Sequence, residues 1–295
     1  MLKGVRLLPE PFTIGTYTYP ALIYNRLNNE LKLLQNEGLS VDIDIDKVGE
    51  ITFMDCFFQD DLSSKEYLKT MKLSIANCLA EIIVEDWEAL IIRKIVRNNF
   101  YYYNEDEKQA ILNKTKKILN PVGLKSYNQQ QRKEKVMQRI LEYLDLDKNL
   151  MVEGFISFRL KDYQKDLEHI VNSAVDELLM EKEYLEFIRL LKYFVEIQEP
   201  RIKKVQIVFK NNGKFSLLDE KDQPIKHECL DGLMIDLLEN EINYEDLLIS
   251  ALITLAPCEL VLHKERGVGV NETINTIEKV FGNRIVNCPG CSKCK

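Results

Sequence analysis

Residues 163–213 read YQKDLEHIVNSAVDELLMEKEYLEFIRLLKYFVEIQEP and then RIKKVQIVFKNNG, and this stretch decides the fold. In its first part Tyr163, Leu167, Ile170, Ala174 and Leu178 recur at helical spacing and lay one apolar stripe down a helix. Tyr184, Phe187, Leu191 and Phe194 continue the rhythm after a break expected at Met180–Glu183. Pro200 ends it, because proline lacks the N–H and the geometry to continue a helix. The pattern then changes. KVQIVF and KFSLL flank Asn212–Gly213, two β-rich runs around the dipeptide that best fits a tight hairpin turn. A long helix ahead of Pro200 and a small sheet after it predict an α+β fold, predominantly helical.

Toward the C-terminus the reading gives short helices near 228–239 and 244–255, a strand at CELVLH (258–263), a helix over 271–281 and a strand at RIVNC (284–288). Asn271 caps the 271–281 helix and Gly282 closes it. The last three elements form a β-α-β crossover in a compact C-terminal α/β unit. Toward the N-terminus, Ile23, Leu27, Leu31 and Leu34 predict a helix over 21–37, and VDIDID and EITFMDCFF predict a strand pair. Ser63-x-x-Glu66 and Asn104-x-x-Glu107 are capping-box patterns that open two further helices. The polar run 122–130 (VGLKSYNQQ) reads as a linker before a helix at 131–145. The expected regions are an N-terminal α+β region (1–121), a central helical region (131–200) and the C-terminal unit with its cysteine-rich tail (201–295).

The chain of 295 residues is 45% hydrophobic and 29% charged, the balance of an ordinary globular protein. Its net charge of -7 argues against a general nucleic-acid coat. No segment reaches the run of about 18 apolar residues that crosses a bilayer. The N-terminus lacks the apolar region of a secretory signal, so a cytoplasmic location is expected. Seven cysteines in so long a chain read as thiols or metal ligands rather than disulfide staples. Cys56, Cys78, Cys229 and Cys258 lie in apolar surroundings and read as small buried hydrophobes.

The remaining three form Cys288-Pro-Gly-Cys291-Ser-Lys-Cys294. Two consecutive C-x-x-C spacings let three thiolates face one ion. A structural zinc needs a fourth ligand. If 258–263 and 284–288 are parallel, His263 and Cys288 both end strands on the same sheet edge, which gives a Cys3His site. Cys258, at the other end of its strand, is a poorer candidate, and His227 and Cys229 have no assigned place. An iron–sulfur cluster is the rival, but the C-x-x-x-C-P that should follow is missing. A reduced, flexible tail and a redox pair at Cys291 and Cys294 are the remaining alternatives.

A second constellation joins Arg93, Lys94 and Arg97 to Phe100, Tyr101, Tyr102 and Tyr103. Cations that track phosphates beside stacking aromatics suit single-stranded nucleic acid. The competing reading is a helix end whose cations complement the macrodipole and whose rings pack inward. Asp42, Asp44 and Asp46 share one face of a strand and read as its solvated side rather than a Mg²⁺ site. Gly267-Val-Gly269, after Arg266, lies where a phosphate loop would, without GxGxxG or GxxxxGK[ST]. With three histidines there is little material for acid–base chemistry, and His169 reads as a helix-face residue.

Residues 151–200 carry a resemblance. Glu153-Gly154-Phe155, Phe158-Arg159-Leu160, Asp162-Tyr163, Glu183-Tyr184, Phe187-Ile188, Leu190-Leu191 and Gln198 resemble the signature of the YtxC family, sporulation proteins of endospore-forming Firmicutes. The later LLISALITLAP, the strand ELVLH and the terminal cysteines are similar to that family too. The resemblance implies a bacterial cytosolic protein connected with sporulation. It brings no catalytic residue with it. The expected function is a non-catalytic interaction or scaffold protein with a C-terminal structural metal site, acting through a protein partner or self-association. The alternatives are a nucleic-acid-binding protein or nuclease built on 93–103, and an enzyme with a pocket near Arg266.

Overall fold

The computed structural model describes residues 10–58, 65–123, 125–210, 215–225, 244–264 and 272–294. It is α+β and predominantly helical. Contacts group the chain into two compact units, Met1–Leu178 and Leu179–Lys295, where the sequence reading had three regions. The helices on either side of 121–131 contribute to one core.

In the first unit, β1 (Phe12–Thr16), β2 (Val41–Val48), β3 (Ile51–Phe58) and β4 (Asn149–Met151) form a sheet in the order β2-β3-β1-β4. β2 and β3 are the expected antiparallel pair, whereas β1 and β4, which pair in parallel, were not read from the sequence. β4 is only three residues long, too short to show an alternation. Helix α1 (Pro20–Asn36) buries Ile23, Leu27, Leu31 and Leu34, as its spacing requires. Helices α2 (Lys65–Ile82) and α3 (Glu88–Asn99) are joined without a break by a π-helical turn, Ile83–Trp87. Helix α4 (Glu105–Leu119) opens on the expected capping box: Asn104 accepts from the Glu107 N–H and Glu107 accepts from the Asn104 N–H. The Ser63 box lies outside the described residues.

Helix α5 (Lys125–Leu144) starts inside the segment read as a linker. Its polar first turns show little apolar period in sequence, and its buried residues Val136, Ile140 and Leu144 come later. Helix α6 (Val152–Arg159) precedes α7 (Lys161–Ile197), which runs unbroken through the expected break at Met180–Glu183. Up to Leu178, α7 buries Tyr163, Leu167, Val171, Ala174, Val175 and Leu178 in the first core. Beyond it, Ile188 and Val195 are the buried residues, with Leu191 packed beside them. The expected stripe through Tyr184, Phe187 and Phe194 is instead exposed by 39%, 50% and 47%. The sequence period runs on smoothly, but each core takes its own set of residues from the helix.

The second unit carries β5 (Ile202–Phe209), β6 (Phe215–Leu218), β7 (Pro257–Lys264) and β8 (Ile285–Asn287), in the order β6-β5-β7-β8. β5 and β6 are the expected antiparallel hairpin; its Asn-Gly turn lies outside the described residues, as does the expected helix 228–239. Helices α8 (Tyr244–Leu255) and α9 (Glu272–Phe281) complete the unit. β7 pairs in parallel with both β5 and β8, so β7-α9-β8 is the crossover predicted from sequence. Strand alternation then sorts the residues. Val205, Ile207, Phe209, Leu260 and Leu262 enter the core with α8 and α9, while Gln206, Val208, Val261 and His263 are buried on the opposite face. Among the described residues, no helix is long and apolar enough to cross a membrane.

Candidate metal centre

The register Leu262↔Asn287 brings the carboxyl ends of β7 and β8 abreast. The Cys288 N–H continues this ladder, donating to the Leu262 carbonyl at 3.0 Å. The chain then turns at Pro289–Gly290. Gly290 has φ +119°, a region that side-chain-bearing residues rarely adopt, which explains a glycine between the first two cysteines. A 3₁₀ turn over Ser292–Cys294, closed by Cys294 N–H to the Cys291 carbonyl, brings the third thiol back.

The result is a cluster of four. The ligand atoms of His263, Cys288, Cys291 and Cys294 all lie within 4.8 Å of one another. His263 Nδ1 is 3.3 Å from Cys291 Sγ and 3.6 Å from Cys294 Sγ, and the two sulfurs are 3.9 Å apart. A tetrahedral ion with ordinary Zn–S and Zn–N bonds places its ligand atoms about 3.5–3.8 Å apart. The residues present therefore fit a tetrahedral cation with three sulfurs and one nitrogen.

The electrostatics suit ligation. Burial holds His263 below its usual range, and the nearby Lys293 ammonium adds to this, so the ring is held neutral with a lone pair to offer. The Cys291 thiol is lowered, first by the Lys293 N–H that donates to its sulfur at 3.3 Å. Cys288 is shifted the other way. The Gly290 N–H lowers it, but desolvation and its bonds to Cys291 and Cys294 prevail.

Behind the cluster lies a polar layer not read from the sequence. Gln206, 6% exposed on β5, meets His263 Nε2 through Oε1 at 3.1 Å. Lys293 donates to the same oxygen and to Asp222. Gln206 Nε2 donates to the Asp219 carbonyl and to Asp222 Oδ1. Those bonds, Lys293 first and Gln206 second, hold the Asp222 carboxyl below its usual value. The sequence signal for Gln206 was a lone amide within the apolar run KVQIVF; nothing local pointed to Asp222.

The other candidates separate. Cys56 and Cys78 are buried as expected, and burial pushes both thiols up to about 12. Cys258 is exposed, contrary to the buried reading, because it precedes the inward-facing part of β7. Cys229, His227, Arg266, Gly267 and Gly269 lie outside the described residues. Asp44 and Asp46 are exposed and Asp42 half-buried, as a solvated strand face requires. His169 is exposed on α7. Arg93, Lys94 and Arg97 line a surface hollow of about 450 Å³. Tyr101 and Tyr102 are exposed by 75% and 64%, while Tyr103 and Phe100 pack against the core.

A further buried cluster escaped sequence reading. Glu88, on α3, takes Arg132 from α5 at 2.8 and 3.2 Å and the Tyr163 hydroxyl from α7. Burial, then the Glu88 charge, raises the Tyr163 hydroxyl strongly. Both Glu88 oxygens are engaged, so the cluster ties three helices together.

The model of the YtxC-like family matches residues 73–286. The chain is 27% identical over 223 residues to the Bacillus subtilis (strain 168) uncharacterized protein YtxC, covering 72% of this chain and 75% of that one. No solved structure matches. With the family model spanning α2 to β8, the chain belongs to the YtxC-like family.

Proposed function

We propose that this chain is a non-catalytic, cytoplasmic, sporulation-associated protein whose C-terminal unit is closed by a structural zinc ion and which acts through contacts with a protein partner or a second copy. The observation that carries the metal reading is the spacing of His263, Cys288, Cys291 and Cys294. Three thiolates and an imidazole are a donor set that favours zinc, and four protein ligands leave no open position for a reacting water. An iron–sulfur cluster would spread its protein ligands over two or more irons, whereas these four ligand atoms all lie within 4.8 Å of one another, as around a single ion. The bound ion would tie the tail to the ends of β7 and β8.

The partner reading rests on α7. Met180, Leu185, Phe187, Leu190, Tyr193, Phe194 and Ile197 are all at least 47% exposed on its second half. Exposed apolar side chains in such number are a feature of contact surfaces. A pulldown during spore formation, comparing the wild type with Phe187→Lys/Phe194→Lys, is expected to lose the captured partner in the variant.

The metal reading is tested by metal analysis of protein purified without a metal-binding tag, beside a variant truncated after Asn287. Stoichiometric zinc in the first and none in the second is expected; equal content in both contradicts it.

A second reading keeps its own observation. Tyr101 and Tyr102 are exposed next to the cations of α3. Under it, a single-stranded oligonucleotide shifts at low salt and is released as salt rises. No shift at low salt removes it.

A further inference from the structure

We infer that Gln206 presets His263 as a ligand through Nδ1, by keeping the ring proton on Nε2, and that Lys293 and the Asp219–Asp222 turn fix the amide that does so. The inference rests on the four-ligand reading above.

The argument is one of donors and acceptors. The Lys293 ammonium only donates, so the amide atom 2.8 Å from it is the oxygen. The Asp219 carbonyl only accepts, so the amide atom 2.8 Å from it is the nitrogen. The same nitrogen faces Asp222 Oδ1 at 2.7 Å, a second acceptor. The orientation of Gln206 is thus determined independently from both ends of its amide. His263 Nε2 lies 3.1 Å from that oxygen and must supply the hydrogen. A neutral imidazole carries one ring hydrogen, so Nδ1 is left with its lone pair, and Nδ1 is the atom that faces Cys291 and Cys294.

No ring flip or tautomer change is then needed when a cation arrives. Gln206 is a positioning residue: it touches no metal and acts through His263. Its position on β5 and that of His263 on β7 follow from the parallel register, which pairs Gln206 with Val261 and Val208 with His263 and so makes them diagonal neighbours on one face. Lys293 belongs to the tail itself, so the same side chain that orients the amide brings the cysteines to the ring.

The test uses the full chain and zinc alone, with affinity read by competition against a chromophoric chelator. Gln206→Leu is expected to weaken zinc by about 10–100-fold, the usual effect of losing the partner of a ligating histidine. Gln206→Glu/Asp222→Asn keeps an acceptor for Nε2–H and for Lys293 without setting two carboxylates against each other, and is expected to stay within about threefold of wild type. Equal affinity in wild type and Gln206→Leu, with His263→Ala weakened, overturns the inference and leaves the four-ligand reading standing. An equal loss in Gln206→Leu and in Gln206→Glu/Asp222→Asn also overturns it, because packing rather than the acceptor would then matter. No zinc binding by wild type, or none lost in His263→Ala, overturns the site itself and the inference with it. Nitrogen NMR of the metal-free wild type gives a readout independent of any variant's folding. His263 is expected to show Nε2–H, and an Nδ1–H signal contradicts the assignment.

Discussion

Glu153 Oε1 accepts from the Thr16 hydroxyl and from the Tyr17 and Thr18 N–H groups at 2.7, 3.2 and 2.9 Å. One carboxylate oxygen thereby holds the turn from β1 into α1, where Tyr19 is forced to φ 56°. Glu153, at the start of α6, therefore has a structural role here. Glu153→Ala is expected to destabilise the first unit by about 1–3 kcal/mol, measured by urea unfolding, since it strands backbone donors. Glu88 behaves differently. Arg132→Met leaves its carboxylate buried without a counter-charge, and a loss of about 3–5 kcal/mol is expected. Replacing Glu88 with Leu as well should recover part of that loss, because the uncompensated charge is then gone. Cysteine reactivity separates by burial in the same way. Native alkylation followed by mass spectrometry is expected to label Cys258 quickly, and Cys56 and Cys78 only after unfolding.

At the level of elements, the Asn104 box is the clearest case of local sequence fixing local structure. Asn104→Ala removes a cap on α4 and is expected to lower stability by about 1 kcal/mol, visible as a small fall in the thermal midpoint. Helix α1, the β2–β3 pair and β7-α9-β8 were legible for the same reason: their periods and stop signals lie within the element. The misses share a cause too. β1 and β4 exist only as partners within a sheet, and a three-residue strand has no period to read. The start of α5 is polar, and its helical state depends on packing further along. In α7 the period was read correctly, but which residues it buries depends on which core they meet, so Phe187 was expected inside and stands half exposed.

On the scale of the whole molecule, the two cores are built differently. The first gathers helices α1 to α6 and part of α7 around a small sheet, with the Glu88–Arg132–Tyr163 cluster inside it. The second is a four-stranded sheet with a hydrophobic core on one face and a polar layer ending in thiols on the other. The clustering of His263, Cys288, Cys291 and Cys294 was legible because the C-x-x-C spacing is local and the β-α-β connection implies parallel strands. Gln206 and Asp222 were not, because they reach the site only through the pairing of β5 with β7 and the turn after β6. The central claim is that one cation is held by that sheet end and tail together. X-ray absorption at the zinc edge of the loaded full chain tests it most directly. Three sulfurs at about 2.3 Å and one nitrogen at about 2.0–2.1 Å are expected; a shell of oxygens, or one in which His263→Ala changes nothing, contradicts it.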